Sequence, residues 1–536
     1  MVSMDLDMTQ VSLYIRAFNV LQLMVKLMSK KNKKVNHIFS FVFFSIIVLI
    51  LFCKVSWIFR ANDSGSRENI VGFHNEKNID VVMYGGSNLL RFYQPLEAWH
   101  QEGYTSYNYA TSAARADLLT EYIKESRLTN DAILYVCDIR TIPLVQGTII
   151  EQSLRNWSDS ISVFSPIRIK GISSFLFSRD WKNWDIPSFY IDITKYHSNY
   201  EALEDPYQWS YINKKNIDNQ NKGFSPNKNH VSFDRPQICN ERGDLSKQQE
   251  RALIELLDYC DQENLQVLFI VCPYIITEHD WNILNTCEDI IRSRGYDFIN
   301  FNYYYDEIGL DFKTDFGDTN HVNYLGAEKY TSYLIDYISN HYKLPDNRKN
   351  LEYEKWNDDY ISYISQQEEW KKDITLTIAQ HLEAKKIGES LKDIDNYANW
   401  YESIQNNNFS IVTIKKGSYK VDTQDKTLQR MLDDWKIDTT ESTYIGLWTN
   451  GKCRFSSNEE EEYEYDLGVD GGRGKVKCCL SVGEIPQMLI GDTDYYQNVN
   501  GIQVLVFDNN DQKVIDNVVI RINEKLEVEL IRKNNK

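Results

Sequence analysis

The run Val81-Val-Met-Tyr84, which passes directly into Gly85-Gly-Ser87, constrains this chain more than any other stretch. Four consecutive apolar residues leave no polar face, so a strand built from them is buried on both sides, as strands of parallel sheets are. A parallel sheet needs crossover helices, and the flanking sequence supplies them. Gly85 and Gly86 allow a sharp turn with no Cβ in the way, and Leu89 to Trp99 reads as the following helix. Gly103 to Tyr109 reads as a second strand, Ala113 to Arg127 as a helix through Ala114, Leu118, Tyr122 and Ile123, and Ala132 to Cys137 as a third strand. The alternation resumes with a helix over Leu245 to Glu263, a strand over Val267 to Cys272, a helix over Glu278 to Arg294 and a strand over Phe298 to Phe301. The class this predicts is α/β.

Ser87 thereby falls between the carboxyl end of a strand and the amino end of a helix, where open α/β sheets bind ligands. Free N–H groups and the helix dipole there favour negative charge, whether a phosphate or a developing oxyanion. A nucleophile, a phosphate cradle and a plain tight turn all fit this stretch by itself. Far downstream, Thr314 to Lys329 reads TDFGDTNHVNYLGAEK, with Asp318 and His321 three residues apart before a helix that begins near Tyr324. That spacing lets the carboxylate fix one imidazole nitrogen and leaves the other to take a proton. A helix-capping aspartate beside an incidental histidine is the competing reading.

Together the two motifs carry more than either does. Gly85-Gly-Ser-Asn88 with Pro95, Tyr107-Asn-Tyr-Ala110, and the closing Asp315-Phe-Gly-Asp-Thr-Asn-His-Val-Asn323 followed by Gly326-Ala-Glu-Lys329 resemble the SGNH (GDSL-like) hydrolase superfamily, in its membrane-anchored bacterial branch. The resemblance covers roughly Asp80 to Lys343 and implies a flavodoxin-like three-layer α/β/α domain. It implies Ser87 as nucleophile, His321 as general base and Asp318 as orienter. It also calls for oxyanion donors from a glycine in the second block and an asparagine in the third. Here the second block holds Asn108, Ala110 and Ser112, and the third-block position holds Asp138 and Arg140. An ionised Asp138 would repel an oxyanion, so either Arg140 pairs with it or donation falls to backbone N–H groups of Ser87 and the second-block loop; Gly86 and Asn88 complete the set of oxyanion or substrate candidates.

From Val35 to Phe59 the chain reads VNHIFSFVFFSIIVLILFCKVSWIF, with no charge between Ile38 and Cys53. This is long enough to span a bilayer. Lys26, Lys30, Lys31, Lys33 and Lys34 precede it and orient the amino terminus to the cytoplasm. The expectation is a basic tail over 1–36, a single-pass signal anchor over 37–59 at the cell membrane, a tether over 60–78 and an extracellular remainder; a cleaved signal peptide is the alternative. Residues Met1 to Leu27 precede a second plausible start at Met28 and read as a mis-called start or a short amphipathic helix on the membrane. A formal charge of −18 argues against nucleic-acid binding. The cysteines, odd in number and without a CxxC pair, describe neither a disulfide framework nor a zinc site, so no metal or cofactor is expected. Cys137 and Cys272 read first as buried small hydrophobes and secondarily as a disulfide.

The SGNH-like domain is expected over 79–343, interrupted at 143–242 by an aromatic-rich insertion with Trp157, Trp181, Trp184 and Trp209 that is either a cap or wall over the site or a packed subdomain. A helical linker follows over 344–405, with helices over Asn350 to Lys372 and Leu376 to Leu391 and a stripe of Tyr353, Trp356, Tyr360 and Tyr363 that reads as a packing face. From 406 to 536 the texture is β-type, with runs at Ser410 to Ile414, Ser442 to Trp448, Val476 to Val482, Ile502 to Phe507 and Lys513 to Ile520. Asp508-Asn-Asn-Asp511 is a hairpin turn by composition, and Glu459 to Glu462 a solvated acidic loop with calcium a remote second reading. Asn500-Gly-Ile-Gln-Val-Leu-Val-Phe-Asp508 and Val514-Ile-Asp516 resemble the end of the interleukin-like EMT-inducer (ILEI) domain, which implies a compact β-sandwich with a glycan, a protein partner or no ligand at all. The two resemblances imply a surface O-acyltransferase or esterase acting on an envelope or exported polysaccharide, with a multi-spanning membrane acyltransferase as donor. The competing expectation is a non-catalytic polysaccharide-binding or assembly scaffold.

Overall fold

A computed structural model describes residues 33–59, 64–145, 151–162, 165–177, 185–191, 193–199, 219–417, 425–459, 462–466, 475–479, 486–523 and 527–532. The chain divides into two units, Met1–Val71 with Thr148–Ile217, and Gly72–Gly147 with Asp218–Lys536.

In the larger unit the opening apolar run is β1 (Val81–Gly85), and it is joined by β2 (Ser106–Ala110), β3 (Leu134–Asp138), β4 (Val267–Val271) and β5 (Asp297–Asn300). All pair in parallel in the order β2-β1-β3-β4-β5. Every residue of β1 to β4 is buried, the polar Ser106 and Asn108 of β2 and Asp138 of β3 included, as in a sheet covered on both faces. The α/β class with a parallel sheet therefore holds. The expected helix over Leu89 to Trp99 is two helices, Ser87–Phe92 and Pro95–Glu102, because Pro95 starts a helix and cannot continue one. The helix expected from Ala113 starts only at Leu119, since Ala113 has a left-handed φ of 57° and a 3₁₀ turn occupies Ala116–Leu118. Lys247–Gln262 opens on a capping box of Ser246 and Gln249, and Glu278–Ser293 on a Thr277 cap.

Three boundaries need correction. The stretch read as a tether contains the helix Ser64–Asn75, whose Phe73 packs edge-on against Tyr107 and Tyr109 of β2. The 143–242 insertion is not one body: 148–217 groups with the amino-terminal unit, while 218–242 belongs to the larger unit and runs across it as an extended strap. The strap is fixed by backbone bonds from Asn108 N to Lys222 O (3.0 Å), Ser225 N to Leu90 O (2.7 Å), Val231 N to Phe316 O (2.9 Å) and Tyr324 N to Asn227 O (2.9 Å). The linker's two expected helices are one, Glu354–Ser390, of 37 residues. Its first half buries Trp356 against Trp99 and Tyr363 and Trp370 against Phe224, while Tyr353 and Tyr360 of the stripe stay half-buried; its second half puts Ala384 and Ile387 into the β-rich core that follows.

That β-rich part holds a six-stranded antiparallel sheet of β6 (Phe409–Lys416), β7 (Thr443–Thr449), β8 (Lys452–Ser457), β13 (Gly501–Asp508), β14 (Lys513–Ile522) and β15 (Val528–Arg532). A four-stranded antiparallel sheet is made of β9 (Glu462–Asp466), β10 (Lys475–Cys479), β11 (Gln487–Ile490) and β12 (Thr493–Asp494). Val412, Leu447, Leu505 and Phe507 of the larger sheet form one cluster with Met488 and Ile490 of the smaller. Its other face packs on the helices Tyr397–Ser403 and Lys426–Asp434 through Trp400, Tyr401, Leu428 and Met431. Both faces of β13 are thus covered, which explains its unbroken burial. The turn at Asp508 to Asp511 closes the β13–β14 hairpin as its composition predicts.

In the smaller unit the helix Lys33–Phe59 leaves Ile38, Phe41 and Phe44 exposed. Among the described residues no helix is long and apolar enough to cross a membrane; several side chains of Lys33–Phe59 lie outside the described set. The basic tail up to Asn32, Trp181, Trp184 and Trp209, and part of the Glu459 to Glu462 loop also lie outside the described residues. Trp157 is buried in Glu151–Ser158, and Arg168 is buried beside it, donating to Ser158 O at 2.6 Å and Phe189 O at 2.9 Å. Cys137 and Cys272 are buried free thiols, which removes the disulfide reading.

Candidate active site

β1 lies where the strand order reverses, between β2 and β3, so the crevice beyond its carboxyl end is the place an open sheet offers a ligand. Ser87 is the first residue of Ser87–Phe92, directly after the cap Gly86. Both glycines serve close approach rather than handedness, since neither has a positive φ. A Cβ on Gly85 would lie 2.8 Å from Leu89 Cδ1, and one on Gly86 would lie 3.1 Å from Ala114 O. A side chain at Gly85 would have to move the end of Leu89, and one at Gly86 would crowd the Ala114 carbonyl.

The other half of the site is a loop pinched shut by a bridge between Phe316 and Val322. Within it Gly317 N donates to His321 O at 2.9 Å. Asp318 Oδ1 accepts from the backbone N–H of Asn320 (2.7 Å) and His321 (2.9 Å), and both its oxygens lie 2.9 Å from His321 Nδ1. His321 Nε2 is 2.8 Å from Ser87 Oγ, across 234 residues of sequence. Burial pushes the Asp318 carboxyl up, but the hydrogen bonds from the His321 ring and from both backbone N–H groups outweigh it and hold it below its ordinary value. With a proton on Nδ1 facing Asp318, Nε2 is the acceptor for the serine proton. The loop is anchored from behind. Asn323 caps Tyr324–His341, and buried Asp315 accepts from Lys329 Nζ (2.6 Å) and Asp311 N (2.7 Å). Gly326 is obligatory, because a Cβ there would lie 2.5 Å from Asp315 O.

The oxyanion candidates divide. Asn108 is a correction: both hydrogens of its amide are spent, on Leu89 O (3.1 Å) and Tyr93 O (2.7 Å), so its side chain ties down the helix after Ser87 and has nothing to donate to a substrate. Asn88 is buried and donates to Asp138 Oδ2, while Asp138 Oδ1 accepts from Arg140 N at 3.0 Å. Burial raises the Asp138 carboxyl to about 6, against the pull of Arg140. The Arg140 guanidinium is turned elsewhere: Nη1 donates to Asn320 Oδ1 at 3.0 Å and the group lies 4.9 Å from the centre of the Tyr274 ring, so it braces the loop that carries His321. Ala110 pairs in register with Gly85, and the loop after it brings the Ala114 carbonyl against Gly86. Backbone donors around Gly86, Ser87 and this loop are therefore the surviving route to an oxyanion.

Two features escaped the sequence reading. Arg91, four residues after Ser87 and so on its side of the helix, donates to Ser225 O (2.8 Å) and Pro226 O (3.0 Å); burial lowers its pKa and the nearby Asp318 charge opposes that. The i+4 spacing could have found it. The strap residue Asn227 packs against Gly317, where a Cβ would lie 2.2 Å from its Nδ2. Nothing in the period-free stretch 218–242 announced that; of the insertion, this is the part that packs against the loop carrying His321. Among the described residues no group of three or more His, Cys, Asp or Glu could hold a metal ion. Compared with known proteins, the chain matches no family model and no curated sequence.

Proposed function

We propose that this chain is a cell-surface serine-dependent acyl-ester enzyme that transfers an acyl group to a hydroxyl of an envelope or exported polysaccharide, with hydrolysis the variant in which water is the acceptor. The observation that carries it is the relay Ser87 Oγ, His321 Nε2, His321 Nδ1, Asp318, every link at 2.8 to 2.9 Å. Ser87 Oγ attacks the acyl carbonyl as its proton passes to His321 Nε2. The leaving alcohol takes that proton and an acyl-enzyme remains. The acceptor hydroxyl then gives its proton to His321 Nε2 and takes the acyl group from Ser87, whose Oγ recovers that proton as its bond to the acyl carbon breaks.

The strand order 2-1-3-4-5 supports a flavodoxin-like, SGNH-type three-layer domain. The paired antiparallel sheets support the ILEI-like reading of 406–536. For the anchor the support is the length of Lys33–Phe59, which at 27 residues reaches roughly 40 Å, beyond a hydrocarbon core of about 30 Å. A multi-spanning membrane acyltransferase would supply the acyl donor. A second reading, a polysaccharide-binding scaffold with a degenerate site, is favoured by one observation: the third-block position holds a buried carboxyl instead of a donor.

The test is labelling of the purified chain with a fluorophosphonate, alongside turnover of an acetyl-ester chromogen with and without an oligosaccharide acceptor. Wild type labels, and Ser87→Ala neither labels nor turns over, a loss of at least about 10³-fold. Equal labelling of the two proteins would sink the nucleophile assignment, and water as the sole acceptor would retire transfer in favour of hydrolysis.

A further inference from the structure

A pocket of about 350 Å³ opens between the helices Pro95–Glu102, Tyr324–His341 and Glu354–Ser390. This volume lies within the usual range of small-molecule sites, about 300–1,000 Å³. One of its lining side chains is Gln94, which is fully buried. Gln94 Oε1 accepts from Tyr363 OH at 2.5 Å, while Nε2 has no hydrogen-bond partner. Turning the amide over would only exchange which end is unpartnered. Around it the pocket presents Glu97, Glu328, Lys371, His100 and Tyr360.

The lining excludes most ligand classes. It is too polar for an apolar ligand, and two carboxylates against one ammonium disfavour an anion. Glu328 is paired with Lys371 at 2.8 Å, which leaves Glu97, whose Oε1 accepts from Gln367 at 2.5 Å, as a single uncompensated carboxylate, and a lone half-solvated carboxylate holds a simple cation weakly. The lining matches a neutral polyol better. Carboxylate oxygens with spare lone pairs and a buried amide match vicinal hydroxyls. The His100 and Tyr360 rings, stacked 4.3 Å apart at 12° with His100 exposed, offer a flat apolar plate for the C–H face of a sugar ring.

We propose that this pocket is a saccharide-binding site for a short, neutral glycan segment, built separately from Ser87 on the helices that follow Ser87 and His321 in the chain. It stands on its own chemistry and does not require Ser87 to be a nucleophile.

The test is titration calorimetry of the full-length chain in detergent with cellotetraose, maltotetraose and chitotetraose, and with spermidine and glycerol phosphate as cationic and anionic controls. At least one tetrasaccharide binds, Glu97→Gln and Tyr360→Ala each weaken it 10-fold or more, and both variants keep wild-type fluorophosphonate labelling. Gln94→Met weakens binding as well; should it fail to fold, the two variants at the pocket rim decide the matter. Ser87→Ala binds the saccharide as wild type does, so failure of the nucleophile assignment and failure of this site are read separately. Binding by none of the three sugars, binding untouched by both rim variants, or binding of a control at this pocket in their place overturns the proposal.

Discussion

Ala113 keeps a left-handed backbone, φ 57°, with a Cβ attached, in the loop that packs against Gly86. For an L-residue this conformation costs about 1–2 kcal/mol, which glycine does not incur, although glycine gives back part of the gain through a more flexible unfolded chain. Ala113→Gly is therefore expected to stabilise the protein by about 1 kcal/mol, read as a higher midpoint in urea or thermal unfolding. Gly326→Ala works the other way: its Cβ would meet Asp315 O, the helix start would shift, and His321 would move with it. The expected outcome is loss of fluorophosphonate labelling with secondary structure retained by circular dichroism. The relay itself was legible, because Gly-Gly-Ser after an apolar run and Asp-x-x-His before a helix each state a local geometry. Asn108 was misread for a physical reason: composition gives an amide its donors but not their direction, and here both point at the helix backbone. Ala113 was invisible because a left-handed turn is normally announced by glycine or asparagine.

Between elements, the least expected junction is Lys222, fully buried, with Nζ 2.6 Å from both Glu76 and Asp359 and over the Trp356 ring at 4.5 Å. It joins the chain just after Ser64–Asn75, the strap and the long helix at one point. Lys355 also pairs with Asp359 at 2.6 Å and reaches Glu76 at 3.6 Å, so removing Lys222 leaves one of the two carboxylates uncompensated out of water, and Lys222→Met is expected to destabilise by about 3–5 kcal/mol. Restoring neutrality with Glu76→Gln in the same chain, which leaves Asp359 paired with Lys355, should recover much of that in a denaturation series. Failure to recover would assign the loss to packing instead. In the parallel sheet β1, β3 and β4 were readable as apolar runs, whereas β2 and β5, which include Ser106, Asn108, Asp297 and Asn300, carry a weaker signal. The helix Glu354–Ser390 was read as two because its buried face changes owner midway, from Trp356, Tyr363 and Trp370 in one core to Ala384 in the next. The strap left no trace at all, since an extended segment held by backbone bonds imposes no period on its side chains.

For the chain as it stands in solution, the strap, the long helix and the β13–β14 turn meet at His230 and His381, whose Nδ1 atoms are 2.8 Å apart. His230 Nε2 also lies 2.8 Å from Lys313 O. Burial, then the neighbouring His230 charge, lowers His381 from 6.5 to about 4, with Asp511 in the turn pulling the other way; burial lowers His230 too, against the pull of the Lys313 carbonyl, Asp511 and Asp315. Between about 4 and 6.5 the unfolded chain thus binds more protons at His381 than the folded one. The stability it contributes is complete above 6.5 and is lost as the pH falls toward 4. Asp138, raised from 3.8 to about 6, has the opposite sign: its contribution is complete at low pH and lost as the pH rises through 6. The melting temperature of wild type minus that of His381→Asn isolates the first effect, and the difference should shrink from pH 7 to pH 5. A constant difference would place the His pair outside the pH response. The hydrogen bond between Ser87 and His321 has a consequence in time. At about 5–20 residues per second, the 234 residues between them take the ribosome roughly 10–50 s to add. For all of that interval the serine exists without its imidazole, so a nascent chain, or one truncated before His321, lacks the Ser87–His321 pair altogether.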